Sequence, residues 1–187
     1  MGAPSDLTTG VGAPATGVAR STIVIGAGEA IAAALRRGEF ETITSFDGPI
    51  GQAPAAVFVA ADRPTPDLKF DSVANFRAGV GGDLKAAFLF LRRASGAMRA
   101  GGGGGSVIFV APTSNQTAHD TARQGLRLLV KAAALELGPE GIRVNIVLPA
   151  EPATQADIAD AVAFLASERA MFMTGADLVV DGGRAAR

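Results

Sequence analysis

The sequence predicts an α/β protein with a doubly wound parallel sheet and helices on both faces, in three layers. Two observations lead to this fold class. Short apolar segments typical of strands covered on both faces alternate with longer segments of helical periodicity. The 187 residues are enough for one domain with a sizeable core, and the sequence shows no internal repeat. We therefore expect a single domain over residues 21–187.

The predicted strands are short runs rich in Val, Ile and Phe that stop at turn-forming residues. The first, STIVIG, ends at Gly26, and the run AAVFVAA is apolar throughout. Helical segments separate the runs, which is the order that a parallel sheet requires. Predicted strands occupy residues 21–26, 41–47, 55–61, 106–111, 141–149 and, with a terminal turn, 175–183.

The predicted helices have apolar residues three and four positions apart. The first follows Gly26 and ends at Gly38, and the last begins at a capping box formed by Thr154 and Asp157. Two stronger helices span residues 83–99 and 119–137, and five successive glycines after the former predict a flexible linker. The predicted core stripe of the 83–99 helix consists of Leu84, Ala87, Phe88, Leu91, Ala94 and Met98.

Composition excludes several classes of function. The formal net charge of −1 gives no basic surface for nucleic acid, and no apolar run is long enough to span a membrane. The absence of cysteine excludes disulfides and thiolate sites, and a single histidine excludes a histidine-rich metal site. Residues 1–20 lack the apolar core of a signal peptide and predict a flexible tail. We expect a cytoplasmic protein.

Several segments resemble the short-chain dehydrogenase/reductase family. LELGPEGIRVNIVLP, ADIADAVAFLAS and TGADLVVDGG are similar to its C-terminal core, and VIGAGEAIAAAL is similar to its first strand, turn and helix. The resemblance covers residues 22–183 and implies a Rossmann-like fold. It also implies a reduced size, because a strand and helix between residues 47 and 55 and a substrate-covering segment before residue 155 have no counterpart.

The resemblance locates the family's catalytic Tyr and Lys at altered residues. Counted back from GIRVN without a gap, the Tyr position is His119 and the Lys position is Arg123. A rewired acid–base pair is one interpretation, since histidine exchanges protons near neutral pH and halohydrin dehalogenases, which resemble this family, use an arginine for the lysine. The other, which we favour, is the solvated start of a helix.

The other two catalytic positions of the family are altered as well. The family's Asn corresponds to Asp83, which is also explained as a capping acid at the start of a helix. The family's Ser falls at or near Pro112, where Thr113 and Ser114 carry the nearest hydroxyl groups. Each position of the family's catalytic set is therefore changed or displaced.

The turn that would hold a nicotinamide dinucleotide departs from the family pattern. Two of its three glycines are replaced by alanines, whose methyl groups we expect to crowd a dinucleotide, and a glutamate lies where the pyrophosphate would bind. Asp47, where the family often has a ribose-binding acid, is equally explained by a turn before Gly48. We predict no cofactor. The residues of this turn are Gly26, Gly28, Glu29, Ala30 and Ala32.

The segments that best keep the family pattern are those that form its subunit contacts. In the family, helices corresponding to 84–99 and 119–138 pack across a two-fold axis, and the helix near 155–167 makes a second contact with the last strand. We therefore predict a catalytically deficient structural or regulatory subunit that assembles with an active family member. One alternative is an atypical oxidoreductase that uses NAD or NADP, or a cofactor-free enzyme using His119 and Arg123. Another is a homo-oligomeric binding module.

Overall fold

A computed structural model of the chain describes residues 20–25, 31–33, 36, 40–43, 55–60, 73–76, 80–113 and 117–186, with the backbone alone at 20–25, 40–43, 75–76 and 117–119. Within these residues the strands form one sheet in the order β2-β1-β3-β4-β5-β6, and every neighbouring pair is parallel. The predicted doubly wound parallel sheet is confirmed. The strands are β1 (Arg20–Ile25), β2 (Phe40–Ile43), β3 (Ala55–Val59), β4 (Gly105–Val110), β5 (Ile142–Pro149) and β6 (Asp177–Val180).

The helices connect these strands as the sequence predicts. The described residues of α1 are 31–33 and 36, and α2 is the single turn Val73–Phe76. The others are α3 (Gly82–Ala100), α4 (Thr117–Leu137) and α5 (Gln155–Ala166). The predicted capping box of α5 is confirmed, because the Thr154 hydroxyl accepts from Asp157 N–H while the Asp157 carboxylate accepts from Thr154 N–H. The predicted tail lies outside the described residues except for Arg20, which begins β1.

The sheet has a core on each face. Against α3 and α4, the rings of Phe58, Phe90 and Phe109 lie 5.4–5.9 Å apart in tilted and edge-to-face pairs. On the other face, buried residues of α1 and α5, among them Ile31 and Ile158, pack against residues of β3, β4 and β5. Alternate residues of β3, β4 and β5 enter opposite cores, which explains why these strand segments are apolar throughout.

The predicted core stripe of α3 is wrong at one aromatic position. Phe88, expected in the core, is 52% exposed, whereas Phe90, expected off the stripe, is 3% exposed. The reason is tertiary: the Phe58 and Phe109 rings form an aromatic contact for position 90, and this contact fixes the rotation of α3 about its axis. Phe88 therefore lies on the outward surface of α3.

The five glycines after α3 form a defined turn and not the predicted flexible linker. Gly102, Gly103, Gly104 and Gly105 all have positive φ, between 77° and 135°. The N–H of Gly103 donates to the carbonyl of Met98 at 2.9 Å and that of Gly104 donates to Glu140 at 3.1 Å. The run is thus a succession of left-handed backbone conformations that closes the end of α3 and delivers the chain to β4.

Candidate functional site

The carboxyl ends of β4 and β5 carry the described part of the predicted site. In a doubly wound sheet the ligand crevice lies beyond the carboxyl ends of the strands, at the point where the strand order reverses. Here the order reverses between β1 and β3. Several residues predicted for this crevice lie outside the described residues, so their predictions stay untested. They are Gly26, Gly28, Glu29, Ala30, Asp47 and Ser114.

Arg123 joins the two strand ends. One guanidinium nitrogen, Nη2, donates to the carbonyl oxygen of Pro112 at 2.9 Å and to that of Pro149 at 2.6 Å. Both prolines are buried and the arginine is half-buried. A guanidinium shared between two carbonyl oxygens satisfies backbone acceptors that solvent reaches poorly. Arg123, at the family's lysine position, therefore links the carboxyl end of β4 to that of β5.

His119 lies in the first turn of α4, four residues before Arg123. This spacing places the two residues on the same side of the helix. The side chain of His119 lies outside the described part of the chain, so its pairing with Arg123 remains a prediction. The predicted helix start at this residue is late by two positions, since α4 begins at Thr117.

A cavity of about 540 Å³ opens beside the strand ends. Thr113 contributes to its wall from the end of β4, Ala150 and Glu151 from the end of β5, and Ile158 from α5. Arg184 completes the wall and lies 4.0 Å from the Glu151 carboxylate. Both of these charged side chains are largely exposed, so their attraction is weak. The cavity is partly polar and contains one predicted site residue, Thr113.

Two predicted site residues have packing roles. Asp83 is buried in the first turn of α3, a position where the helix dipole stabilises a carboxylate. The N-cap residue is Gly81 and not Asp83. Ala32 is fully buried in the core between α1 and the sheet. Its methyl group therefore packs in the core, and the predicted crowding of a dinucleotide by Ala30 and Ala32 stays a prediction.

Asn145 and Asp181, which were not predicted as functional residues, fix the backbone before and after β6. The Asn145 side chain is fully buried, donates to the carbonyl of Met173 at 2.9 Å and accepts from Ala176 N–H at 3.0 Å. Asp181 accepts from the N–H groups of Ala185 and Gly183, and these bonds lower the pKa of its carboxyl group. Both residues stand in segments that carry the family resemblance, which was the available signal.

An ion-pair cluster connects α4 to β6. Asp177 accepts from Arg127 at 2.7 Å and from Lys131 at 3.3 Å. Burial raises the pKa of the Asp177 carboxyl group, but the hydrogen bonds and charges of Arg127 and Lys131 outweigh it, and the pKa lies below the ordinary value. Arg127 and Lys131 are thus both directed to the edge strand β6.

The described residues provide no metal site and no membrane span. Among them, no three His, Asp or Glu side chains cluster in a way that could hold a metal ion. None of the helices in the described ranges combines the length and apolarity needed to cross a bilayer.

Comparison with protein families decides the identity of this fold. A family model described as enoyl-(acyl carrier protein) reductase matches residues 55–156 and 150–185, which together are more than half of the chain. The chain belongs to the short-chain dehydrogenase/reductase family. The matched range includes β3 to β6, the two helices α3 and α4, and the cavity at the strand ends.

Two curated relatives of the chain are named as dehydrogenases. Trans-4-hydroxycyclohexanecarboxylate dehydrogenase of Sinomonas cyclohexanicum is 34% identical over 128 residues, 56% of this chain and 49% of that protein. L-rhamnose 1-dehydrogenase (NAD(P)(+)) of Azotobacter vinelandii is 33% identical over 137 residues, 56% of this chain and 54% of that protein. The chain spans about half the length of the curated relatives it matches.

Solved structures share the Rossmann-like fold. Acetoin dehydrogenase YohF from Salmonella typhimurium superimposes with a TM-score of 0.75 at 23% identity, over 90% of this chain and 98% of that one. The TT0495 protein from Thermus thermophilus gives 0.73 at 25% identity, over 90% and 100%. These likenesses support the three-layer α/β architecture.

Proposed function

We propose that this chain is a structural or regulatory subunit that lacks catalysis of its own and assembles with an active dehydrogenase/reductase of its family. The observation that carries the proposal is an exposed apolar surface on α3 and α4. Phe88 and Leu89 of α3 are 52% and 44% exposed, and Leu128 and Leu135 of α4 are 69% and 83% exposed. We call these four side chains the bundle face.

The two helices present the bundle face on one side of the molecule. Both connect parallel strands, so they run in the same direction, and Gly125 of α4 packs closely against Leu84 of α3. One turn further along, Phe88 and Leu128 therefore lie at the same level. Apolar side chains in register on neighbouring helices favour burial against a partner.

The proposed lack of catalysis is supported by Arg123. A guanidinium that donates to the Pro112 and Pro149 carbonyls is engaged by the protein itself. In the family a lysine at this position holds the nicotinamide ribose, and Arg123 does not reproduce that arrangement. The proposal also includes a cytoplasmic location, which agrees with a sequence that has no cysteine. It further includes no bound dinucleotide, because the turn at residues 26–32 departs from the family pattern.

A second candidate function is an oxidoreductase that uses NAD or NADP. The cavity of about 540 Å³ at the strand ends, with Thr113 in its wall, favours it. The activities of the curated relatives point the same way. On this alternative His119 would exchange the proton and Thr113 or Ser114 would orient the substrate.

The two candidates make opposite predictions for nucleotide binding and assembly. The subunit proposal predicts a stable complex, seen by native mass spectrometry, when the chain is co-expressed with an intact family member, and its loss in Leu128→Asp. A matched control is Val73→Asp, an exposed apolar residue outside the bundle face. Micromolar binding of NAD(H) or NADP(H) by calorimetry, with turnover lost in His119→Ala, would instead establish the oxidoreductase.

A further inference from the structure

The α3 side of the bundle face is bordered only by cations. Lys85 lies three residues before Phe88, and Arg92 lies three residues after Leu89, so each is adjacent to the apolar pair on the helix surface. Both are exposed, and within the described ranges neither makes an ion pair. The one acidic residue of α3, Asp83, is buried.

The cations of α4 do not add to this border. Arg127 and Lys131 are both engaged by Asp177 of β6. The exposed acids of α4, Asp120 and Glu136, stand near its two ends, away from the level of Phe88 and Leu89. The charge beside Phe88 and Leu89 therefore comes from exposed cations of α3, namely Lys85, Arg92 and Arg93. Of these, Lys85 and Arg92 make no ion pair within the described ranges.

This charge arrangement distinguishes between possible occupants. A two-fold contact between identical chains is isologous, so the bundle face of one copy would meet the same face of the other. With the two-fold axis at Phe88 and Leu89, Lys85 of one copy would approach Arg92 of the other across a partly desolvated contact, which is repulsive. A partner with carboxylates at the facing positions would convert the repulsion into attraction.

We infer that the bundle face selects a partner whose facing helices carry an apolar centre bordered by Asp or Glu, and that Lys85 and Arg92 disfavour a second copy of this chain. The inference rests on the proposed function, because it assumes that the bundle face is the assembly surface. It specifies the chemistry of the partner, which the proposed function leaves open.

The test uses the chain against a charge-reversed form of itself. Lys85→Glu with Arg92→Glu keeps the apolar centre and supplies the missing carboxylates on exposed positions. Sedimentation equilibrium is measured for the wild-type chain, the double variant and their equimolar mixture. We expect the mixture to associate with a dissociation constant about tenfold lower than that of either chain alone at low salt. Salt should weaken the mixed complex and strengthen wild-type self-association.

The outcomes separate the inference from the proposed function. Wild-type self-association as tight as that of the mixture, or no association of the mixture at the highest attainable concentration, overturns the inference. A family partner that binds wild type and the double variant equally well also overturns it but leaves the proposed function standing. A family partner that binds Leu128→Asp as well as wild type refutes the bundle face itself. Sedimentation with phosphatidylserine vesicles that is lost in the double variant would identify a membrane surface as the occupant and reject a protein partner.

Discussion

Replacing Arg123 with methionine tests whether this residue holds the sheet edge or serves a ligand. Methionine keeps the length and apolar character of the side-chain stem but removes the donors to the Pro112 and Pro149 carbonyls. Hydrogen bonds that involve a charged group contribute about 1.5–3 kcal/mol each, and both carbonyls belong to buried residues. Because a single nitrogen serves both acceptors, we expect the free energy of unfolding to fall by about 2–3 kcal/mol in total.

The assay is urea denaturation followed by circular dichroism, with Arg92→Met as the matched control. Arg92 is exposed and makes no ion pair in the described ranges, so its replacement should change stability by less than about 0.5 kcal/mol. Arg123→Lys should lie between wild type and Arg123→Met, because an ammonium group on a flexible stem loses the fixed geometry of the guanidinium. A loss below about 0.5 kcal/mol in Arg123→Met, with an unchanged m-value, would refute the bridging role.

Three further perturbations test the rest of the fold. Asn145→Ala should lower stability by about 2–4 kcal/mol in urea denaturation, because it empties a fully buried position, removes one of the two donors to the Met173 carbonyl and leaves Ala176 N–H without its acceptor; a loss under about 1 kcal/mol would contradict this. Gly104→Ala should lower stability by about 1–2 kcal/mol because φ is 77° there, whereas Ala at the open helical position Gly96 should raise it by about 0.5–1 kcal/mol; equal effects would show that the glycine turn is not required. The Asp181 carboxyl group has a folded pKa below its ordinary value of 3.8, so its contribution is complete above that value and is lost as the pH falls through the folded pKa. Asp181→Asn should therefore reduce the dependence of stability on pH below about 4; a pH profile identical to that of wild type would contradict the assignment.

The elements of the fold were predictable because their signals are local. A continuous apolar run such as that of β4 indicates a strand covered on both faces, and Thr154 with Asp157 indicates the start of α5 before any tertiary contact is known. The glycines after α3 were misinterpreted for the same reason. A run of glycine has no propensity of its own, and the hydrogen bond from Gly104 N–H to Glu140, a residue far along the chain, makes the turn specific.

The rotation of α3 could not be predicted from periodicity. Phe88 and Phe90 are both close enough to the apolar stripe to fit the core. Which of them is buried depends on Phe58 of β3 and Phe109 of β4, whose rings contact Phe90. The consequence for function is direct. With Phe90 in the core, Phe88 lies beside Leu89 on the outward surface, so the exposed aromatic side chain of α3 is Phe88 and not Phe90.

The contacts of the predicted site were even less predictable from the sequence than the rotation of α3. Alignment on GIRVN located Arg123 at the family's lysine position, but only the folded chain brings the Pro112 and Pro149 carbonyls to its guanidinium. A lysine ammonium is a compact charge on a flexible stem, whereas a guanidinium is planar and presents several donors in fixed directions. An arginine at this position can therefore satisfy acceptors at the ends of β4 and β5 from within the protein. The ends of β4 and β5 therefore need no ligand to satisfy these acceptors. If Arg123 has retained a ligand role, Arg123→Met should change nucleotide affinity by an amount unrelated to its loss of stability.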